Sequence, residues 1–160
     1  MDTRYREYID FLTKYRDELS VCLESERDKR RALLDNRLDK LEAALRAQQA
    51  ETMKLRALET KRVGLQSKLG PPKAKAKELL ASVGDGEARE SMGALFAQIA
   101  DVAGQIYEQN RQSLELAAVN LKVLKLFFEG QKAQPQIRFY GPDGAGRKGC
   151  QPVAALKETV

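Results

Sequence analysis

A chain of 160 residues with 42% hydrophobic, 32% charged and 6% aromatic side chains is too apolar for full disorder and too charged for a thick globular core. The absence of histidine excludes a histidine general base, a Ser-His-Asp triad and any histidine metal ligand. Two cysteines, Cys22 and Cys150, cannot form a zinc site or a disulfide framework, and the net charge of +5 is spread thinly.

Residues 3–34 are predicted as one helix. Tyr5, Tyr8, Leu12, Tyr15, Leu19 and Cys22 recur at alternating spacings of 3 and 4, the a/d seam of a coiled coil. Ile9, Phe11 and Leu23 widen it toward a second neighbour. Beyond Cys22 the seam turns polar at Glu26 and Lys29 and resumes at Leu33, which weakens packing of the distal part. Cys22 reads as a small core residue rather than a reactive thiol.

Asp35-Asn36 is the next punctuation. Asn36 is suited to cap a second helix with Asp39 in its first turn, so that either the chain turns here or one helix runs through a weak point. Leu38, Leu41 and Leu45, then Leu55, Leu58, Leu65 and Leu69, give a second stripe, with a phase slip near Gln48 to Thr52. The helix, 36–69, stops at Gly70-Pro71-Pro72. A short helix at 73–82 around Leu79 and Leu80 precedes the break Gly84-Asp85-Gly86. Residues 87–129 then form a third long helix, about 65 Å at 1.5 Å per residue. Its stripe is Leu95, Ile99, Val102, Ile106, Leu114, Ala117, Leu121, Leu124 and Phe128. Such a length needs partners along the whole face. Glycines and prolines crowd the chain from Gly130 to Pro152, and 130–160 reads as a flexible tail with a short extended or turn element at Ile137 to Gly144.

The expected fold is therefore all-α: an elongated antiparallel three-helix coiled-coil bundle over 1–129, running up, down and up, with a flexible Gly/Pro-rich C-terminal tail. No run of 18 apolar residues and no signal-peptide core are present, so the expectation is a cytoplasmic protein without a membrane span.

No constellation favours catalysis. The acids Glu24, Glu26, Asp28, Asp35, Asp39 and Glu42 interleave with Lys and Arg at helix-pairing distances. The cluster Arg27, Lys29, Arg30 and Arg31 reads as a solvated face, with nucleic-acid or anionic-lipid binding as the alternative. The segment Gly141 to Gly149 imitates a phosphate loop, but no Ser or Thr follows Lys148 and no helix follows at all. No catalytic residue, cofactor or metal is expected. Phe127 and Phe128 are adjacent and cannot both enter a narrow seam, so one is free to cover an end or bind a partner.

Residues 34–46, from Leu34 to Arg46, resemble the turn and second-helix start of the FlgN family of flagellar export chaperones. Residues 48–70, with Gln48-Gln49, Met53-Lys54-Leu55-Arg56, Leu58-Glu59, Lys61-Arg62 and Leu69-Gly70, resemble its second helix. Asn110-Arg111 and Leu114 suit its third helix, and Tyr140-Gly141-Pro142-Asp143-Gly144 resembles its aromatic-Gly-x-x-Gly tail motif. The positive net charge departs from the acidity common in export chaperones. The resemblance implies a non-enzymatic protein that binds hook–filament junction proteins and delivers them to the flagellar type III export gate. It implies Tyr140 as the gate contact. For the client, the late third helix is expected: Ala117, Leu121, Leu124, Phe127 and Phe128. A scaffolding coiled coil that self-associates through the same stripes is the alternative.

Overall fold

In the computed structural model the described residues are 2–71, 74–132, 139–140 and 146–147, the backbone alone being described from residue 131 onward. Four helices follow in chain order: α1 (Thr3–Leu34), α2 (Leu38–Gln66), α3 (Ala76–Ser82) and α4 (Gly86–Lys132). Two two-residue strands, β1 (Phe139–Tyr140) and β2 (Gly146–Arg147), pair antiparallel with Tyr140 opposite Gly146. The chain divides into two compact units, Met1–Val119 and Asn120–Val160.

The helix ends follow capping chemistry. Asp2 accepts the backbone N–H of Arg4 at 3.0 Å and starts α1. Asp35-Asn36 is a true break. Asn36 does not cap α2; it takes the left-handed conformation, φ 52°, and closes α1 instead. The Arg37 N–H bonds the Ala32 carbonyl at 2.9 Å and the Asn36 N–H that of Leu33 at 3.4 Å, a Schellman closure. Asparagine is one of the few residues that tolerates this conformation. The regular part of α2 ends at Gln66 rather than 69, although the Gly70 N–H still reaches the Gln66 carbonyl. The fully buried Gln66 donates to the Ala74 carbonyl at 2.7 Å, which fixes the path from α2 to α3. Asp85 accepts the Ala88 N–H at 3.1 Å and starts α4.

Within the first unit α1 and α2 form an antiparallel hairpin: Glu7 faces Lys68, Glu18 faces Lys54 and Ser25 faces Glu51. Contacts between α1 and α4 ascend together, from Tyr8 with Phe96 through Arg16 with Gln98 to Lys29 with Asn110, so these helices run parallel. The main apolar core gathers near the start of α1. Tyr8, Phe11 and Leu12 meet Leu65, Leu79 and Val83, and Ala88, Met92 and Leu95 close it. Complete burial of a Leu or Met side chain contributes about 1.5–3 kcal/mol, so Leu79 makes the seven-residue α3 an integral part of this core.

Several stripe assignments are corrected. On α2, Leu38 and Leu45 are exposed while Ala44 is buried. The face of α2 that turns inward is Leu41, Ala44, Gln48, Glu51, Leu55, Leu58, Arg62, Leu65 and Leu69, an unbroken alternation of 3 and 4. There is no phase slip, only polar residues in seam positions. On α4, Leu114, Leu121, Leu124 and Phe128 are exposed and do not serve the core.

Candidate functional site

Three features carry chemistry. The first is a polar layer within the first unit, where the seams of α1 and α2 both turn hydrophilic. Lys29 Nζ stands 2.7 Å from Glu26 Oε2 and donates to Asn110 Oδ1 at 3.1 Å and Gln48 Oε1 at 3.4 Å. Gln48 Nε2 donates to Glu26 Oε1 at 2.7 Å, and Ser25 Oγ donates to Glu51 Oε1 at 2.6 Å. Glu26 and Glu51 are 9% and 8% exposed, and both belong to residue types rarely buried without a partner. Glu26 has Lys29. Glu51 Oε2 is buried and has no hydrogen-bond partner among the described residues.

A cavity of about 260 Å³ opens beside this layer, lined by Cys22, Glu26, Gln48, Glu51 and Thr52 and by apolar Leu19, Leu55, Ala103 and Ile106. Burial, with the Glu51 carboxylate second, pushes the Cys22 thiol up to about 11. Few thiolates form at neutral pH, in agreement with a packing role for Cys22. Cys150 lies outside the described residues. Among the described residues no group of three or more Cys, Asp or Glu is placed to hold a metal ion.

The second feature is the late part of α4. Leu121, Leu124, Phe127 and Phe128, in the second unit, are 68%, 52%, 58% and 51% exposed. The Phe127 and Phe128 rings sit edge to face, 5.9 Å between centroids. Val123 and Leu126 are exposed as well, so apolar side chains cover most of this stretch, and Lys122, Lys125 and Glu129 form a charged strip along the remaining side. Ala117, in the first unit, is half-buried. A broad apolar helix face open to water normally meets a partner.

The third feature is Tyr140. Its backbone is extended and paired with Gly146. The Gly141-Pro142-Asp143-Gly144 part of the motif, and most of the expected tail, lies outside the described residues.

Three of the four cations in the basic cluster on α1 are paired locally. Arg27 pairs with Glu24, Lys29 with Glu26 and Arg31 with Asp28, each three residues back. Near the Asn110-Arg111 signature, Arg111 bridges Glu108 and Glu115 along the surface of α4 and holds the Glu108 carboxyl down to about 2. Asn110 itself faces the polar layer. Glu51 and Ser25 were not singled out from sequence, and Gln48 was read only as a family likeness and a phase slip. The signal that finds them is the unbroken heptad spacing of α2 once polar residues are allowed in it.

These elements define an all-α binding protein: an antiparallel hairpin, a third long helix parallel to its first leg, and an uncovered apolar helix end. The family described as FlgN protein matches residues 1–148, from α1 through Tyr140 to β2. The chain belongs to the FlgN family of flagellar export chaperones. No curated protein matches it, and no solved structure does. Among the described residues no helix is long and apolar enough to cross a membrane.

Proposed function

We propose that this chain captures hook–filament junction proteins in the cytoplasm and delivers them to the flagellar type III export gate, without catalysing any reaction. The carrying observation is the exposure of Leu121, Leu124, Phe127 and Phe128 on one helix that otherwise folds with the hairpin. An amphipathic client helix would cover such a surface by helix-to-helix packing, with Ala117 as the small residue preceding it on α4. The long helices would supply the coiled-coil surfaces for the client, and Tyr140, beyond α4, would make the contact with the gate.

Size-exclusion chromatography with light scattering tests this reading. The protein is run alone and with the terminal helical segments of hook–filament junction proteins. A discrete heterocomplex that persists at moderate salt is expected. Leu124→Asp should weaken that complex at least tenfold with unchanged helicity by circular dichroism, and Tyr140→Ala should leave it intact while impairing export in cells. A rod that only self-associates and ignores the client would favour the scaffolding alternative, which the same exposed surface serves.

A further inference from the structure

The geometry points to the cavity between α1, α2 and α4 as a binding site for a primary alkylammonium group, with Glu51 as its counter-ion. The polar layer contains two buried carboxylates, Glu26 and Glu51, and one ammonium, Lys29. The other groups that face it are neutral: Cys22 and Ser25 from α1, Gln48 and Thr52 from α2, Asn110 from α4. The layer thus sets two carboxyl groups against one ammonium. Lys29 is committed to Glu26, Gln48 and Asn110, while Glu51 Oε2 has no hydrogen-bond partner among the described residues. The Cys22 thiol is only a weak donor to the Glu51 carboxylate and brings no positive charge. A buried carboxylate with an empty lone pair is costly unless a cation or donor reaches it.

The cavity walls select the cation. Leu19, Leu55, Ala103 and Ile106 are apolar, which suits a methylene stem, and no set of ligands for a metal ion is assembled among the described residues. Thr52 and Ala103 are exposed, so the cavity reaches the surface between α2 and α4. A volume of about 260 Å³ admits a chain of four or five carbons ending in an ammonium. Two sources share this chemistry: a free aliphatic amine, and the lysine side chain of a bound polypeptide. The site is separate from the exposed end of α4 and does not depend on the client reading.

Calorimetric titration and thermal unfolding of the full chain test the site, with pentylammonium chloride as probe and sodium chloride at equal ionic strength as reference. Saturable binding and a raised Tm are expected for the wild type. Glu51→Gln, nearly isosteric, should weaken binding at least tenfold. Ala103→Leu, which fills the cavity and keeps the carboxylate, should do the same. A lysine-containing helical peptide that protects more strongly than its methionine counterpart identifies a polypeptide source; equal weak effects of the two peptides beside a clear effect of the free amine identify the free amine. No shift in the wild type, an undiminished shift in Glu51→Gln, or pentanol acting as well as pentylammonium would overturn the site and leave a hydrated cavity.

Discussion

Replacing Lys29 by Met removes the only buried cation seen among the described residues of the polar layer and preserves the volume of its stem. The ion pair with Glu26 spans 2.7 Å, and both side chains are 12% exposed. At an effective dielectric of about 20, two charges at that distance attract by about 6 kcal/mol. Desolvation of the two ions consumes most of this in the intact pair. Removing one partner loses the attraction and leaves the other desolvated, which costs about 3–5 kcal/mol. The layer then carries two carboxylates and no cation. For a chain of this length such a loss lowers Tm by roughly 6–20 °C. The double variant Glu26→Gln/Lys29→Met returns the layer to its native net charge, so it should recover about 2–3 kcal/mol relative to the sum of the single changes. Urea unfolding followed by far-ultraviolet circular dichroism measures all four corners of the cycle. A cost below about 1 kcal/mol for Lys29→Met, or additivity within error, would refute the assignment of this pair as buried and coupled.

Two further outcomes follow from local geometry. Asn36→Gly should raise Tm slightly and Asn36→Ala should cost about 1 kcal/mol, because only the left-handed conformation at φ 52° closes α1; equal stability of the two variants in thermal melts would contradict this. With Cys150 replaced by Ser, Cys22 should react with a thiol reagent at pH 8 about 100-fold more slowly than an ordinary cysteine, since its thiol is pushed from 9.0 to about 11. The raised value also means that the folded state holds the proton more tightly. This contribution to stability is complete below pH 9 and is lost as pH rises through about 11, which alkaline unfolding curves of wild type and Cys22→Ala separate.

The helical nature of the chain was legible because the seam of α1, from Tyr5 to Cys22, is apolar at every a/d position. The α2 face was misread because Gln48 and Glu51 occupy its seam, and a search for apolar residues places Leu38 and Leu45 inside instead. Those polar residues make sense only when set against Glu26 and Lys29 on another helix, a pairing that one helix's periodicity cannot express. The late stripe of α4 was legible as apolar but not as exposed. Leu121, Leu124 and Phe128 keep the seam spacing, which marks a helix face but not what lies against it. Asn36 carried an ambiguous signal, since asparagine suits both an N-cap and a left-handed closure.

The first unit joins residues far apart in sequence: Arg16 and Gln98, which bridge α1 to α4 at the surface, are separated by 82 positions. Closing a loop of that size directly costs about 1 kcal/mol more than closing the 26-residue separation of Ser25 and Glu51. The hairpin removes the difference, because once α2 has returned along α1, Leu65 lies in the same cluster as Tyr8 and only the short path through α3 separates it from Met92. Zippering of α1 with α2 is therefore the least costly first event, and α4 docks onto a preformed pair. The apolar turns after Leu114 then belong to the last element to be secured, at a stage when most of the chain's other oily surface has already been withdrawn from water.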